Sequence, residues 1–148
     1  MRKLIPAAAL ALVLAVSLTA CSGGSYKDGT YTAQSAIHEG LEDEEFGESG
    51  DGYGEVTITV KDNKIVDCKF TTYMPDGTVK DAEYGKRDGA IKNQDYYNKA
   101  QRAVKASENY AQQLAAKGDL KSVDAITGAT ISYQEFREAV EEALRQAK

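Results

Sequence analysis

The sequence predicts an α+β fold, in which a small antiparallel β-sheet of hairpins packs against two main α-helices within a single domain. Three observations carry this. In "EVTITVKDNKIVDCKF", Val56, Ile58 and Val60 alternate with threonines, and Val66, Cys68 and Phe70 alternate with charged residues, the period of half-buried strands. From Gln94 to Lys117, Tyr97, Ala100, Val104, Ala111 and Leu114 recur at helical spacing. Near the end, Phe136, Ala139, Val140, Ala143 and Leu144 make one apolar stripe.

The leading segment stands outside the fold. Arg2 and Lys3 precede an apolar run from Ala7 to Val16, which reads as an export signal over residues 1–20. A membrane-spanning helix needs about 20 consecutive apolar residues. This run is shorter and ends at Ser17. Leu18, Thr19, Ala20 and Cys21 match the bacterial lipobox, so Cys21 is expected to carry a diacylglycerol and become the new N-terminus. Buried acyl chains contribute about 0.8 kcal/mol per methylene, so such a protein is anchored to a bilayer through Cys21 while its body stays in water. Residues 21–25 then form the lipidated cysteine and a flexible Ser-Gly tether. The domain proper is expected over residues 26–148.

Charge and cysteine usage exclude several classes. The net charge of −5 becomes more negative once Arg2 and Lys3 leave with the signal, and such a surface repels nucleic acid. With Cys21 acylated, Cys68 is the one thiol left, so neither an internal disulfide nor a multi-cysteine metal site can form.

Element by element, Tyr26 to Ser35 has the aromatic and threonine content of a first strand. His38 to Gly54 collects Glu39, Glu42, Asp43, Glu44, Glu45, Glu48 and Asp51 among glycines and is expected as an exposed acidic loop. It lacks EF-hand spacing, so no metal site is assigned. "GDGYGE" precedes a strand instead of following one, which is wrong for a phosphate-cradling loop. If both apolar triplets of the hairpin face the core, its connection holds an odd number of residues, and a three-residue loop Lys61–Asn63 with Asn63 left-handed satisfies this. Cys68 then points inward as a small hydrophobe. "MPDG", Met74 to Gly77, is a turn, and a third strand through Val79 to Tyr84 would complete a meander.

The first helix should stop at Gly118, with Tyr96 and Tyr110 off its stripe as surface residues or ligand contacts. Ser132 and Glu135 have capping-box spacing, which places the start of the last helix near Tyr133 and its end near Gln146. His38, the single histidine, has no serine or cysteine partner that the sequence places beside it, so a hydrolytic triad has no support.

Thr130 thus lies just before a helix N-terminus, whose unpaired N–H groups and dipole stabilise a nearby anion by about 0.3 to 1 kcal/mol. Gly128 permits a sharp turn there and Ala129 leaves the neighbourhood uncrowded. Threonine, glycine and aspartate in this place also suit a plain cap and turn.

"DAITGAT", Asp124 to Thr130, resembles the flavinylation motif of the FMN-binding domain family, in which Asp is followed after a short gap by Ser/Thr-Gly-Ala-Thr. That family includes the C subunit of the sodium-pumping NADH:quinone reductase, the G subunit of the Rnf complex and lipoproteins of extracellular electron transfer. The hairpin, the final helix and the lipobox add to the resemblance, which covers roughly Tyr26 to Leu144 apart from the acidic loop. With one motif and a short chain, the sequence is most similar to the stand-alone lipoproteins.

The resemblance implies covalent FMN on Thr130 through a phosphoester, with Asp124, Thr127, Gly128 and Ala129 as the other motif positions. It implies attachment by an FAD:protein FMN transferase that uses FAD and Mg2+. It further implies an electron carrier, not a substrate-converting enzyme, on the extracytoplasmic face of a membrane, relaying electrons from a membrane donor on the quinol or NADH dehydrogenase side. Tyr53, Tyr73, Tyr84, Tyr97 and Tyr133 are candidates to lie against the flavin ring. Two alternatives share the fold and differ at Thr130: a noncovalent flavin-binding protein, and a lipoprotein binding module without redox activity.

Overall fold

The structure, a computed structural model, describes residues 25–40, 42–43 and 48–148. The export signal, Cys21 and the centre of the acidic stretch lie outside the described residues. The chain forms β1 (Gly29–Gln34), β2 (Glu42–Asp43), β3 (Glu48–Ser49), β4 (Tyr53–Lys61), β5 (Lys64–Tyr73), α1 (Gln94–Lys117), a 3-10 turn (Leu120–Ser122) and α2 (Thr130–Gln146). The expected α+β class holds. The main sheet is antiparallel in the order β1-β4-β5, and β2 pairs with β3 in a separate two-stranded ladder.

The central strand β4 turns Val56, Ile58 and Val60 into the core and its threonines outward, as its alternation demands. On the outer face the hydroxyls of Thr32 and Thr57 meet at 2.8 Å, and those of Thr30 and Thr59 at 3.3 Å. Such cross-strand pairs fix register.

The hairpin connection departs from expectation. It has two residues, Asp62 and Asn63, both at positive φ (51° and 64°), the conformation of a type I′ turn. Two residues alone would put the β5 triplet on the wrong face. A bulge corrects this: Val60 pairs with Ile65 and Thr59 with Asp67, which leaves Val66 as the extra residue. Ile65 is therefore buried while Val66 is exposed, and Phe70 keeps its inward place. Cys68 is half-buried and free. Burial, with Asp67 beside it, pushes its thiol up to about 12, so it carries no reactive thiolate at neutral pH.

The third strand expected at Val79–Tyr84 does not form. One bridge, Tyr73 to Val79, is all that remains of it, and β1 on the other side of β4 completes the sheet. The acidic stretch is also more ordered at its ends than a loop: His38 bridges Gly52, and Tyr53 and Gly54 already belong to β4.

Helix α1 runs over the expected residues. Asn93 Oδ1 accepts the Tyr96 N–H at 3.0 Å at its start, and Gly118 ends it with φ 72° and an N–H donated to the Leu114 carbonyl at 2.8 Å. It packs on β5, while α2 packs on β4 and β1. Between helices and sheet lie Phe136, Leu114, Val140, Ile58 and Val56, each essentially fully buried and each contributing about 1.5 to 3 kcal/mol of transfer free energy. The two ends of the domain meet, since the Lys27 N–H donates to the Ala147 carbonyl at 2.6 Å.

Candidate functional site

Helix α2 begins three residues earlier than its capping-box spacing suggests. Thr130 is its first residue and Ala129, at φ −132°, occupies the cap position without any side-chain oxygen to accept from the first turn. Ser132 and Glu135 therefore sit inside the helix, both buried. The capping-box expectation fails because Glu135 is drawn into the protein interior instead of bending back along the helix. The first-turn N–H groups precede any intrahelical bond, and the Tyr133 N–H, bonded to the Ala129 carbonyl at 3.0 Å, is the first to find one.

The turn that delivers Thr130 is built from Ile126 to Ala129, closed by the Ala129 N–H to the Ile126 carbonyl at 3.1 Å. Gly128 takes φ 81°, and a Cβ placed there would find nothing within 4 Å. Glycine serves the backbone angle, and the space around it stays open. Holding this turn is Tyr110, a residue that the sequence places off the α1 stripe. It is fully buried, accepts the Ile126 N–H at 3.0 Å through its hydroxyl oxygen, and donates that hydroxyl to the Ala129 carbonyl at 3.3 Å. Its ring packs on Phe136 and Tyr133, with centroids at 5.5 and 5.3 Å. A second stripe, Ala106, Tyr110 and Leu114 at four-residue steps, was the available signal.

Asp124 does a different job from the turn it precedes. Its carboxylate accepts from Lys117 Nζ at 2.9 Å, its N–H donates to Gln113 Oε1 at 2.9 Å, and Gln113 Nε2 donates to its carbonyl at 3.3 Å. Asp124 therefore ties the start of the motif to the last turns of α1. Thr127 is exposed on the turn.

Thr130, Gly128 and Ala129 line one cleft of about 380 Å3, within the range of small-molecule sites. One wall is α1, with Tyr96, Lys99, Ala100, Ala103 and Val104; the other is the start of α2, down to Glu135. Thr72, Lys80, Tyr84, Gly40 and Gly50 close it. Of the five tyrosines expected near a ligand, Tyr84 lines this cleft, and Tyr96 joins it. Tyr53 and Tyr73 instead stack on each other at 5.2 Å, Tyr97 donates to the Ala82 carbonyl at 3.1 Å, and Tyr133 donates to the Val123 carbonyl at 3.2 Å.

Two ionisable side chains at the cleft are buried, Lys80 at 8% exposure and Glu135 at 1%. The sequence gives Glu135 the role of a capping-box glutamate and Lys80 a place in the expected third strand, so neither is expected in a buried cleft. Lys80 Nζ donates to the Gly50 carbonyl at 3.0 Å and stands 5.1 Å from the centre of the Tyr84 ring. Burial lowers its ammonium from the usual range, while Glu135 and Asp51 act in the opposite sense. Burial raises the Glu135 carboxyl above the ordinary carboxylate range, while Lys80 and His38 pull it down and Glu138 pushes it up. The glycines of "GDGYGE" make room for these two side chains: a Cβ at Gly52 would collide with Lys80 and the Tyr73 carbonyl, and one at Gly54 with the Phe70 ring, 3.2 Å from Glu135 Cβ.

The arrangement is a cleft with an exposed hydroxyl at a helix start and two buried ionisable side chains, Lys80 and Glu135, in its lining. The FMN-binding domain family matches residues 47–145, a span that holds β4, β5, both helices and the whole cleft motif. A 15 kDa lipoprotein of Treponema pallidum is 30% identical over 145 residues, which cover 93% of this chain and 88% of that protein. The crystal structure of a Clostridium perfringens protein superposes with a TM-score of 0.52 at 23% identity, over 82% of this chain and 88% of that one, a likeness of fold.

Proposed function

The chain belongs to the FMN-binding domain family, and from that membership we propose that it is a lipid-anchored, extracytoplasmic electron carrier whose FMN is esterified to Thr130. The observation that carries the reading is Thr130 itself, exposed, first in α2 and on the rim of a cleft of about 380 Å3. The residues present suit the group. Ala100, Ala103, Val104 and Ile131 offer an apolar bed, Tyr84 and Tyr96 aromatic faces, and Lys99 a cation. The open space beside Gly128 admits a phosphate next to the threonine.

The bound flavin supplies one- and two-electron carriage, and the protein supplies placement. The Thr130 hydroxyl becomes the ester oxygen. The free N–H groups of the first turn of α2 lie beside it and favour a negative charge. Tyr110 and Asp124 hold the turn in the shape that presents Thr130, one from the core and one from the end of α1. A covalent link keeps the cofactor at high effective concentration outside the cytoplasm, where free FMN is dilute. The attaching partner is an FAD:protein FMN transferase using FAD and Mg2+, and the donor is a membrane dehydrogenase or quinol.

The lipobox ending at Cys21 supports anchoring, and so does the lipoprotein relative. Among the described residues, no helix is long and apolar enough to cross a membrane.

Production with and without the transferase tests the assignment. The wild type is expected to gain the mass of one FMN phosphoester and to fluoresce in a denaturing gel, and Thr130→Ala to do neither. Flavin that survives denaturation on Thr130→Ala moves the attachment elsewhere, with Thr127 the next hydroxyl. A wild type that stays colourless beside an active transferase refutes the carrier reading.

A further inference from the structure

Glu135 is buried in the cleft wall, five positions along α2 from Thr130, and nothing described so far uses it. Among the described residues, its Oε1 is the one buried side-chain oxygen or nitrogen without a hydrogen-bond partner. Leaving such an atom unpaired forfeits the water it would bond in the unfolded chain and is destabilising. A leucine would fill the space without that cost, and native interiors rarely keep such an atom except where a ligand or water meets it. The chain also keeps space for this group: Gly54 takes no Cβ, which would press on Glu135 and Phe70, and Gly52 takes none, which would press on Lys80.

We propose that Glu135 is a cofactor-contacting residue of this cleft, its free carboxyl oxygen meeting the polar edge of the flavin ring and its charge setting how readily the ring accepts electrons. This rests on the flavin lying in the cleft, as proposed above. Reduction adds electron density to the ring, and a carboxylate against it opposes that addition, whereas a neutral carboxyl does not. The groups facing Glu135 are Lys80 from the segment after β5, His38 from the segment after β1 and Glu138 one turn along α2, with Asp51 acting on Lys80. Lys80 and His38 favour the carboxylate, Glu138 and burial the neutral acid, so the charge of Glu135 changes above the ordinary carboxylate range.

The test uses the full chain, loaded with flavin by co-production with the transferase and titrated with dithionite between about pH 5 and about pH 9. Glu135→Gln keeps the shape and removes the ionisation. The variant is expected to match the wild type at the acid end and to be about tenfold easier to reduce at the alkaline end. Glu135→Asp is expected to restore part of the pH dependence, which a purely structural role would not do. Parallel wild-type and Glu135→Gln curves, with flavin present in both, overturn the contact and leave the carrier reading intact. A wild type that acquires no flavin overturns both.

Discussion

Tyr110→Phe removes one oxygen and leaves the ring on Phe136 and Tyr133, so it isolates what the hydroxyl does for the cleft turn. Two bonds go: the one that accepts the Ile126 N–H at 3.0 Å and the longer one to the Ala129 carbonyl at 3.3 Å. A net bond contributes about 0.5 to 1.5 kcal/mol, and a desolvated N–H left without a partner costs about 1 to 3 kcal/mol. The Ala129 carbonyl keeps its bond from the Tyr133 N–H at 3.0 Å, so its share is small and the Ile126 N–H dominates. The expected loss is about 2 kcal/mol. For a domain of this size that corresponds to a fall of about 8 °C in the thermal midpoint. Denaturant unfolding should show the same loss as a lower midpoint with an unchanged slope. Amide exchange at Ile126 and Ala129 should quicken more than exchange in β4. Because the turn presents Thr130, flavinylation of the variant should also be slower at equal transferase. A thermal midpoint within about 1 °C of wild type would refute the role given to this hydroxyl.

The glycines should separate by cause. Gly128→Ala meets open space at φ 81° and should cost about 1 kcal/mol from backbone strain alone. Gly54→Ala drives a methyl into the Phe70 ring and toward Glu135 and should cost about 3 kcal/mol, both read by urea unfolding. Equal losses at the two sites would contradict the packing described. Glu138 accepts from His38 at 3.0 Å and from the Ala36 N–H at 3.1 Å, and the His38 bond chiefly holds its carboxyl below the usual range. Its folded-state pKa is depressed, so its contribution is present above the unfolded carboxylate pKa and is lost as pH falls through the folded one. Glu138→Gln should therefore flatten the acid limb of the stability profile, and an unchanged limb would count against the contact.

The sequence-based reading succeeded where periodicity and a single local residue decide the outcome. The apolar positions of β4 and the Gly118 stop of α1 follow from spacing and from one left-handed glycine. It failed where two local solutions compete. An odd-length turn and an even-length turn plus a bulge both keep Phe70 inside, and the structure uses the second, which buries Ile65 and exposes Val66. Ser132 and Glu135 satisfy capping-box spacing, but tertiary burial takes Glu135 into the cleft and lets the helix start at Thr130. The strand expected over Val79–Tyr84 does not form beyond one bridge to Tyr73, and the third place in the sheet goes to β1 on the other edge of the hairpin. Of the cleft, the motif residues Gly128, Ala129 and Thr130 were legible. The hold of Tyr110 on the turn and the burial of Lys80 and Glu135 in the cleft were not, since each arises from contacts between distant segments.

The bond between Lys27 and Ala147 fixes where a leash would leave the body. It emerges at the far end of α2 from Thr130, and 17 helical residues make that separation about 25 Å. In the proposed anchored state the helix acts as a strut, holding the dye and the lipid at opposite ends of a rod. Upright, such a body would hold Thr130 about 25 Å farther from the bilayer than the point where the leash leaves. Lying over, the same body would bring that end of α2 down beside the bilayer.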